Sequence, residues 1–336
     1  MHWKTSALAK RSKEMKGEEI APHVEQVNRY AARQTYVLHD RMLSNPVSRR
    51  KLAENKPELD AEQSKVMEGL DGKGYSIVPV TEFFPDADED RWGTLRAEGD
   101  RFVERVEAER EKRLAKEAKK AKKGKKPKGL GKGDYIMRHL GKDVPALGAD
   151  DPWLQLGISD RMLDVVNSYF GLWSKLTYVD LWYTPPAAPG VERVSSQRWH
   201  RDYNDERLVK VFIYLTDVDE DTGPLEFVPG SSIGGEYAKE WPWRPVSNDL
   251  YPPQDEFDER IPKSAQMALT GPEGSMIFCN TSGFHRGGYA TGDRPRVMAV
   301  YNYSSPASLA ALTLRNFEPD VPRDGLSEQA AFALSD

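Results

Sequence analysis

The sequence predicts a mainly β protein, an all-β sandwich or barrel with helices packed outside and a helical N-terminal part. Two observations carry this. Between residues 176 and 304, short β-branched and aromatic runs recur at close intervals, separated by turns rich in Gly, Pro and Asp. Upstream of residue 176, apolar residues instead recur at helical spacing, bracketed by caps and glycine stops. With 336 residues, 38% of them hydrophobic, the chain can bury a sizeable core.

Residues 1–58 are polar and charge-mixed, and the spacing of Val24, Val27, Tyr30 and Ala31 predicts a helix over about 22–43. Asp60 and Gln63 form a capping box for a helix with the stripe Val66, Met67 and Leu70, stopped by Gly72 and Gly74. Tyr75 to Val80 reads as a strand, and Pro79 places it at a sheet edge because proline cannot donate to a ladder. A long charged helix is expected over about 86–123, with Trp92, Leu95, Phe102, Val103 and Val106 on one face. It grades into the lysine block 119–128, where like charges repel and breakers intervene, so an exposed, mobile segment is expected. Ser159 caps a further helix whose stripe is Met162, Leu163, Val166, Tyr169 and Phe170, ended by Gly171.

Strands follow at Leu176 to Thr184, Leu208 to Thr216, Ser275 to Cys279 and Arg296 to Tyr303. Asp221 to Pro224 and Pro229 to Ser231 read as turns. The loop between the last two strands holds Gly287, Gly288, Gly292 and Pro295, and an antiparallel pairing of those two strands would bring Arg296 near His285. The section 234–270 exceeds an ordinary turn and is expected to cover the mouth of the barrel. Its aromatics, Trp241, Trp243 and Tyr251, suit either substrate contact or packing.

Chemistry concentrates in the stretch Gln197 to Asp202. His200 and Asp202 stand two apart, a spacing that on a strand projects both from one face. His285 would complete two imidazoles and one carboxylate on one side of a metal, leaving open positions that suit Fe(II) bound with a co-substrate and dioxygen. Zinc would not use such positions for redox chemistry. Arg296, eleven residues after His285, offers a planar two-point contact suited to the far carboxylate of 2-oxoglutarate. Trp199 and Arg201 alternate with the ligands and point away from the metal if the strand is regular. His23 has Glu25 two residues on, a spacing that points the side chains apart on a helix, and His139 has Asp143 four on, a ligand pair only if a helix runs through Gly141; these two, with His2 and His39, read as surface or capping residues.

Taken together, Gln197 to Asp202, Gly223 to Leu225, Pro229 to Ser231, Gly274 to Phe278, His285 and the pair Pro295 and Arg296 resemble the phytanoyl-CoA dioxygenase family of Fe(II)/2-oxoglutarate oxygenases, which includes ectoine hydroxylase. The likeness covers about residues 60–305. It implies a double-stranded β-helix, or jelly-roll, with outer helices. It also implies that His200, Asp202 and His285 bind iron and that Arg296 binds the 2-oxoglutarate carboxylate. Many relatives have glycine directly after the second histidine, where this chain has Arg286, and that departure bears on the substrate side of the pocket. Related halogenases replace the carboxylate with a small residue; Asp202 is present, so hydroxylation is the expected reaction, with succinate and carbon dioxide released.

The expected organisation is a polar extension over 1–58, a dioxygenase domain over 59–310 with the charged insertion at about 86–133, and a tail over 311–336. A net charge of −5 gives no global nucleic-acid signature, and the lysine block lacks the interleaved aromatics of a stacking platform, so it reads as a solvated linker, with an anchor for a nucleic acid or other anionic partner as the alternative. The expected partner is a small-molecule substrate; oligomeric state is not readable. No apolar run approaches membrane-spanning length and Cys279 is the single cysteine, so a soluble protein of the reducing cytoplasm is expected. Two other readings use the same residues. One is a non-catalytic jelly-roll binding protein that recruits an anionic partner through its lysines; the other is a mononuclear metal hydrolase, which would consume no 2-oxoglutarate. The full set of four site residues argues against the first.

Overall fold

A computed structural model describes residues 36–85, 89–121, 135–139, 146–188, 190–202, 205–241, 251–308, 316–318, 321 and 323–335. The expected helix over 22–43 falls mostly outside them, although 36–41 is helical, and 122–134, with most of the lysine block, lies outside as well.

The described helices are α1 (Ser44–Glu54), α2 (Ala61–Lys73), α3 (Glu89–Ala121), α4 (Pro152–Gly157), α5 (Asp160–Phe170), α6 (Gln254–Arg260) and α7 (Glu328–Leu334). The strands are β1 (Tyr75–Pro79), β2 (Met137–Arg138), β3 (Lys175–Thr184), β4 (Val209–Tyr214), β5 (Leu225–Phe227), β6 (Met267–Leu269), β7 (Ser275–Asn280), β8 (His285–Gly287) and β9 (Arg296–Ser304). They form two antiparallel sheets, one ordered β1-β7-β4-β9-β3-β2 and the other β6-β5-β8.

Period-two alternation explains why the sheets face each other. In β4, Phe212 and Tyr214 join a cluster with Leu225 and Phe227 of β5, Leu269 of β6, and Ile277, Met298 and Val300 of the large sheet. This is the layer between the sheets, and Cys279 is part of it, so the lone cysteine is packing. The alternate residues Val209, Val211 and Ile213 face the other way, onto the cluster that buries Val66, Leu70, Met162, Leu163 and Val166 of the outer helices. The result is the jelly-roll core with helices outside.

Local signals explain the helix ends. Asp60 accepts from the Gln63 amide at 2.9 Å while Gln63 Oε1 accepts from the Asp60 amide at 3.0 Å. The helix passes through Gly72 and stops at Gly74, whose φ of +84° is left-handed. Pro79 ends β1 at the sheet edge, as the missing donor requires. In α3, Leu95, Phe102 and Val106 are buried and the charged remainder faces outward. Helix α1 carries no strong periodic stripe, and α4 and α7 are only six and seven residues long. Tertiary contacts hold α1 and α7, and a local cap starts α4: Ser48 Oγ donates to Trp173 O at 2.5 Å, Lys175 Nζ donates to Phe332 O at 2.8 Å, and Asp151 caps α4 through the amides of Trp153 and Leu154. Among the described residues no helix is long and apolar enough to cross a membrane.

One expectation is corrected. The strands starting at Ser275 and Arg296 do not pair with each other, because β4 lies between β7 and β9. His285 instead sits in β8 of the small sheet, so Arg296 approaches it from the large sheet opposite.

Candidate functional site

The first histidine and the aspartate lie in extended chain rather than in a regular strand. His200 forms a single antiparallel bridge to His285, each donating its amide to the other's carbonyl at 3.0 Å. The Asp202 amide donates to Thr281 O at 2.9 Å, which holds the segment against the end of β7. The two imidazole rings thereby lie 4.2 Å apart between centroids, and His285 Nε2 is 3.6 Å from Asp202 Oδ2. One ligand atom from each of His200, Asp202 and His285 falls within 4.8 Å of the others.

Both Nδ1 atoms face backbone carbonyls, that of His200 the Arg198 carbonyl at 2.9 Å and that of His285 the Gly283 carbonyl at 3.0 Å. A proton on Nδ1 is thereby fixed, leaving each Nε2 with a lone pair aimed at the shared point, the form a metal requires. Burial holds both rings neutral, pushing His200 down and, with His200 beside it, His285 down to about 3. Burial alone would raise Asp202, but Lys210, then His285 and His200, hold it well below the usual carboxylate range. Lys210 Nζ lies 2.5 Å from Asp202 Oδ2.

Arg296, the first residue of β9, is 1% exposed. Its Nη2 reaches Thr184 Oγ1 at 3.3 Å, whereas Nε and Nη1 are buried without a hydrogen-bond partner among the described residues. Unmet donors on a buried guanidinium are costly, and they point to an acceptor that arrives with a ligand. The backbone makes room for this group. A side chain at Gly288 would place its Cβ 2.9 Å from Arg296 Nη2, and Gly288 takes a φ of +76° that side chains rarely adopt. Gln197 holds that turn by donating from Nε2 to Gly288 O at 2.6 Å. Arg294 is half exposed and paired with Asp219, on the outside.

His200, Asp202, His285 and Arg296 line one cleft of about 280 Å³, together with Trp182, Lys210 and Tyr251 among others. Tyr251 comes from the long 234–270 section and its ring lies 5.5 Å from that of His200, so this part of the section does cover the mouth. Trp241 packs against Phe257 and Phe284, while Trp243 lies outside the described residues. Trp199 is buried and stacks on Phe257 at 4.9 Å, as the alternation predicts. Arg201 is tied to the carbonyls of Ser282, Tyr237, Glu240 and Ser231. Arg286, the departure after the second histidine, stacks over Trp199 at 4.4 Å and pairs with Glu226 at 2.6 Å. His139 meets Arg105 and His39 meets Ser44, both away from the cleft.

Lys210 was not singled out by sequence reasoning, although a signal existed. A lone lysine inside the apolar run Val209 to Tyr214 must either break the strand or find a buried acid.

Comparison with known proteins gives consistent likenesses. The model of a family described as phytanoyl-CoA dioxygenase matches residues 74–298. L-proline trans-4-hydroxylase of Streptomyces griseoviridis is 26% identical over 153 residues, 38% of this chain, and the match spans only 57% of that protein's length. Among solved structures, the epimerase SnoN in complex with Fe3+, alpha ketoglutarate and nogalamycin RO is 16% identical, covering 80% of this chain and 93% of its own, with a TM-score of 0.48. EctD from S. alaskensis with 2-oxoglutarate and 5-hydroxyectoine is 15% identical, covering 74% and 77%, with a TM-score of 0.45.

Proposed function

The chain belongs to the phytanoyl-CoA dioxygenase family, and from that premise we propose that it is an Fe(II)/2-oxoglutarate-dependent dioxygenase that hydroxylates a small molecule. The observation that carries the reading is the convergence in one cleft of His200, Asp202, His285 and a buried Arg296 with unmet donors. The donor set fits ferrous iron: two neutral imidazoles and one carboxylate, with both Nδ1 atoms already engaged. The arginine fits the remote carboxylate of 2-oxoglutarate, because the unmet Nη1 and the second N–H of Nη2 form one planar edge that can take both oxygens. Bound there, iron would supply the oxidising power, with dioxygen and 2-oxoglutarate consumed and succinate and carbon dioxide released.

The protein's own residues would act by position. His200, Asp202 and His285 hold the metal from one side, and the carbonyls of Arg198 and Gly283 keep the two rings in the ligating tautomer. Arg296 orients the co-substrate from the floor of the cleft, and Tyr251 and Trp182 line its walls and exclude water. L-proline is the named substrate of one relative, and a small polar molecule of that class suits a cleft of about 280 Å³. We assign the catalytic domain to 59–310 with its insertion at about 86–133, with 1–58 as extension and 311–336 as a tail, of which α1 and α7 pack onto the domain, and we place the protein in the cytoplasm.

The test is a screen of soluble metabolites for substrate-coupled succinate release, repeated with H200A and D202A. Release that depends on substrate and disappears in both variants supports the reading. Full activity in either variant removes the metal assignment, and metal-dependent hydrolysis without 2-oxoglutarate consumption would favour a hydrolase.

A further inference from the structure

We propose that Lys210 anchors an acid group of the substrate, so that the molecule oxidised in this cleft is a short carboxylate. The inference rests on the metal and 2-oxoglutarate reading above and adds the chemical class of the substrate.

Lys210 belongs to the inward face of β4, shared with Phe212 and Tyr214, and its side chain is only 12% exposed. Its register partners are Cys279 on β7 and Asn302 on β9. Arg296 and Asn302 stand six positions apart on the same strand, roughly 20 Å of extended backbone. Arg296 and Lys210 therefore approach the metal ligands from opposite ends of the cleft. With Arg296 at one end for the co-substrate, the Lys210 end is left for substrate.

Charge points to what that substrate carries. The cleft is lined by Arg138, Arg201, Lys210, Arg286 and Arg296 against the acid Asp202. Arg201 is held by backbone carbonyls and Arg286 by Glu226, each with Nε unmet among the described residues, while Arg138 is half exposed over Trp182 with Asp180 at 3.8 Å. Lys210 has Asp202 alone as hydrogen-bond partner among the described residues. A divalent metal on Asp202 leaves one positive charge, and 2-oxoglutarate on Arg296 leaves one negative. These cancel, so the desolvated cleft keeps the positive charge of Lys210, with that of Arg201 beside it, beyond what Asp202 and 2-oxoglutarate neutralise. A substrate carboxylate supplies the counter-charge; a neutral sugar or amide does not. Since Lys210 already touches a metal ligand, a carboxylate held there puts a carbon only a few bonds away beside the metal site. The proposal thus favours a compact amino or hydroxy acid over a long acyl chain.

The test uses the full-length protein loaded anaerobically with Fe(II) and 2-oxoglutarate, the visible charge-transfer band being recorded first. Butyrate and butyramide, equal in size and different in charge, are then titrated in, with binding read from perturbation of the band and from calorimetry on the Zn(II) form. Butyrate is expected to bind at least about tenfold more tightly than butyramide, with the preference lost in Lys210→Met and kept in Lys210→Arg. Equal binding of the two probes, no saturable butyrate binding, or an unchanged preference in Lys210→Met overturns the proposal. So does a Lys210→Met variant whose main defect is weaker 2-oxoglutarate binding, since the lysine would then serve the co-substrate. If Lys210→Met fails to load metal, the wild-type acid and amide comparison decides. Absence of the band in the wild-type protein is a different failure: it removes the metal and 2-oxoglutarate reading itself, and this inference with it.

Discussion

Replacing Arg296 by methionine should weaken 2-oxoglutarate binding while making the ligand-free protein more stable. Methionine replaces the arginine's aliphatic stem with an unbranched apolar chain and removes the guanidinium from a site where the arginine is 1% exposed. Nε and Nη1 lack partners among the described residues, and Nη1 with the second N–H of Nη2 presents the edge on which a carboxylate would gain two charge-assisted hydrogen bonds. At about 1.5–3 kcal/mol each, their loss corresponds to roughly a hundredfold to ten-thousandfold in affinity. The same unmet donors burden the ligand-free fold, so removing them should raise its thermal midpoint, on the order of 1–3 kcal/mol of stability. Anaerobic titration of the Fe(II)-loaded protein with 2-oxoglutarate reads the first effect, and thermal unfolding with and without 2-oxoglutarate reads the second. A dissociation constant within about threefold of wild type would refute the assignment. A larger loss from R294M than from R296M would do the same, since Arg294 is half exposed and paired with Asp219.

Gly288→Ala should act on the same group, because the added Cβ would stand 2.9 Å from Arg296 Nη2 on a backbone with φ +76°; the expected cost is about 1–2 kcal/mol of stability together with weaker 2-oxoglutarate binding, and an affinity equal to wild type would show that the guanidinium is not confined there. Trp199→Ala should destabilise by about 3–5 kcal/mol in urea unfolding, since the indole is buried against Phe257 with Arg286 across its face; a loss under about 1 kcal/mol would contradict the packing role. Stability should also depend on pH through His285, which lies at about 3 in the fold and returns to about 6.5 when unfolded. The unfolded chain therefore takes up the proton first, so His285's contribution is intact above pH 6.5 and declines as pH falls toward 3, by up to about 1.4 kcal/mol per pH unit. Urea midpoints of the metal-free protein should drop between pH 7 and 5 and drop less in His285→Gln; parallel profiles for the two proteins would refute this.

The residues that announce the site are those whose chemistry is unusual for their setting. His200, Asp202, His285 and Arg296 stand out because imidazoles, a carboxylate and a guanidinium beside apolar strands demand a reason. The strands were legible because β-branched and aromatic residues are concentrated in short runs between turns, as in β3 and β9. Their pairing was not. Chain proximity pointed to β7 beside β9, whereas β4 lies between them, because a jelly-roll sends successive strands to different sheets. The helices α1 and α7 escaped notice for a related reason: α1 has little periodicity, α7 is seven residues long, and both lean on distant partners such as Trp173 and Lys175. Lys210 was hidden inside a run that reads as core, and only the fold reveals that its acid partner is Asp202, eight residues earlier.

Anaerobic addition of Fe(II) and then 2-oxoglutarate to the full-length protein tests the central claim most directly. The account predicts a visible charge-transfer band that saturates at one equivalent of each, absent from H200A, D202A and H285A and reached only at higher 2-oxoglutarate in R296M. A wild-type protein that gives no band, or a band that persists undiminished when Asp202 is replaced by alanine, would contradict it.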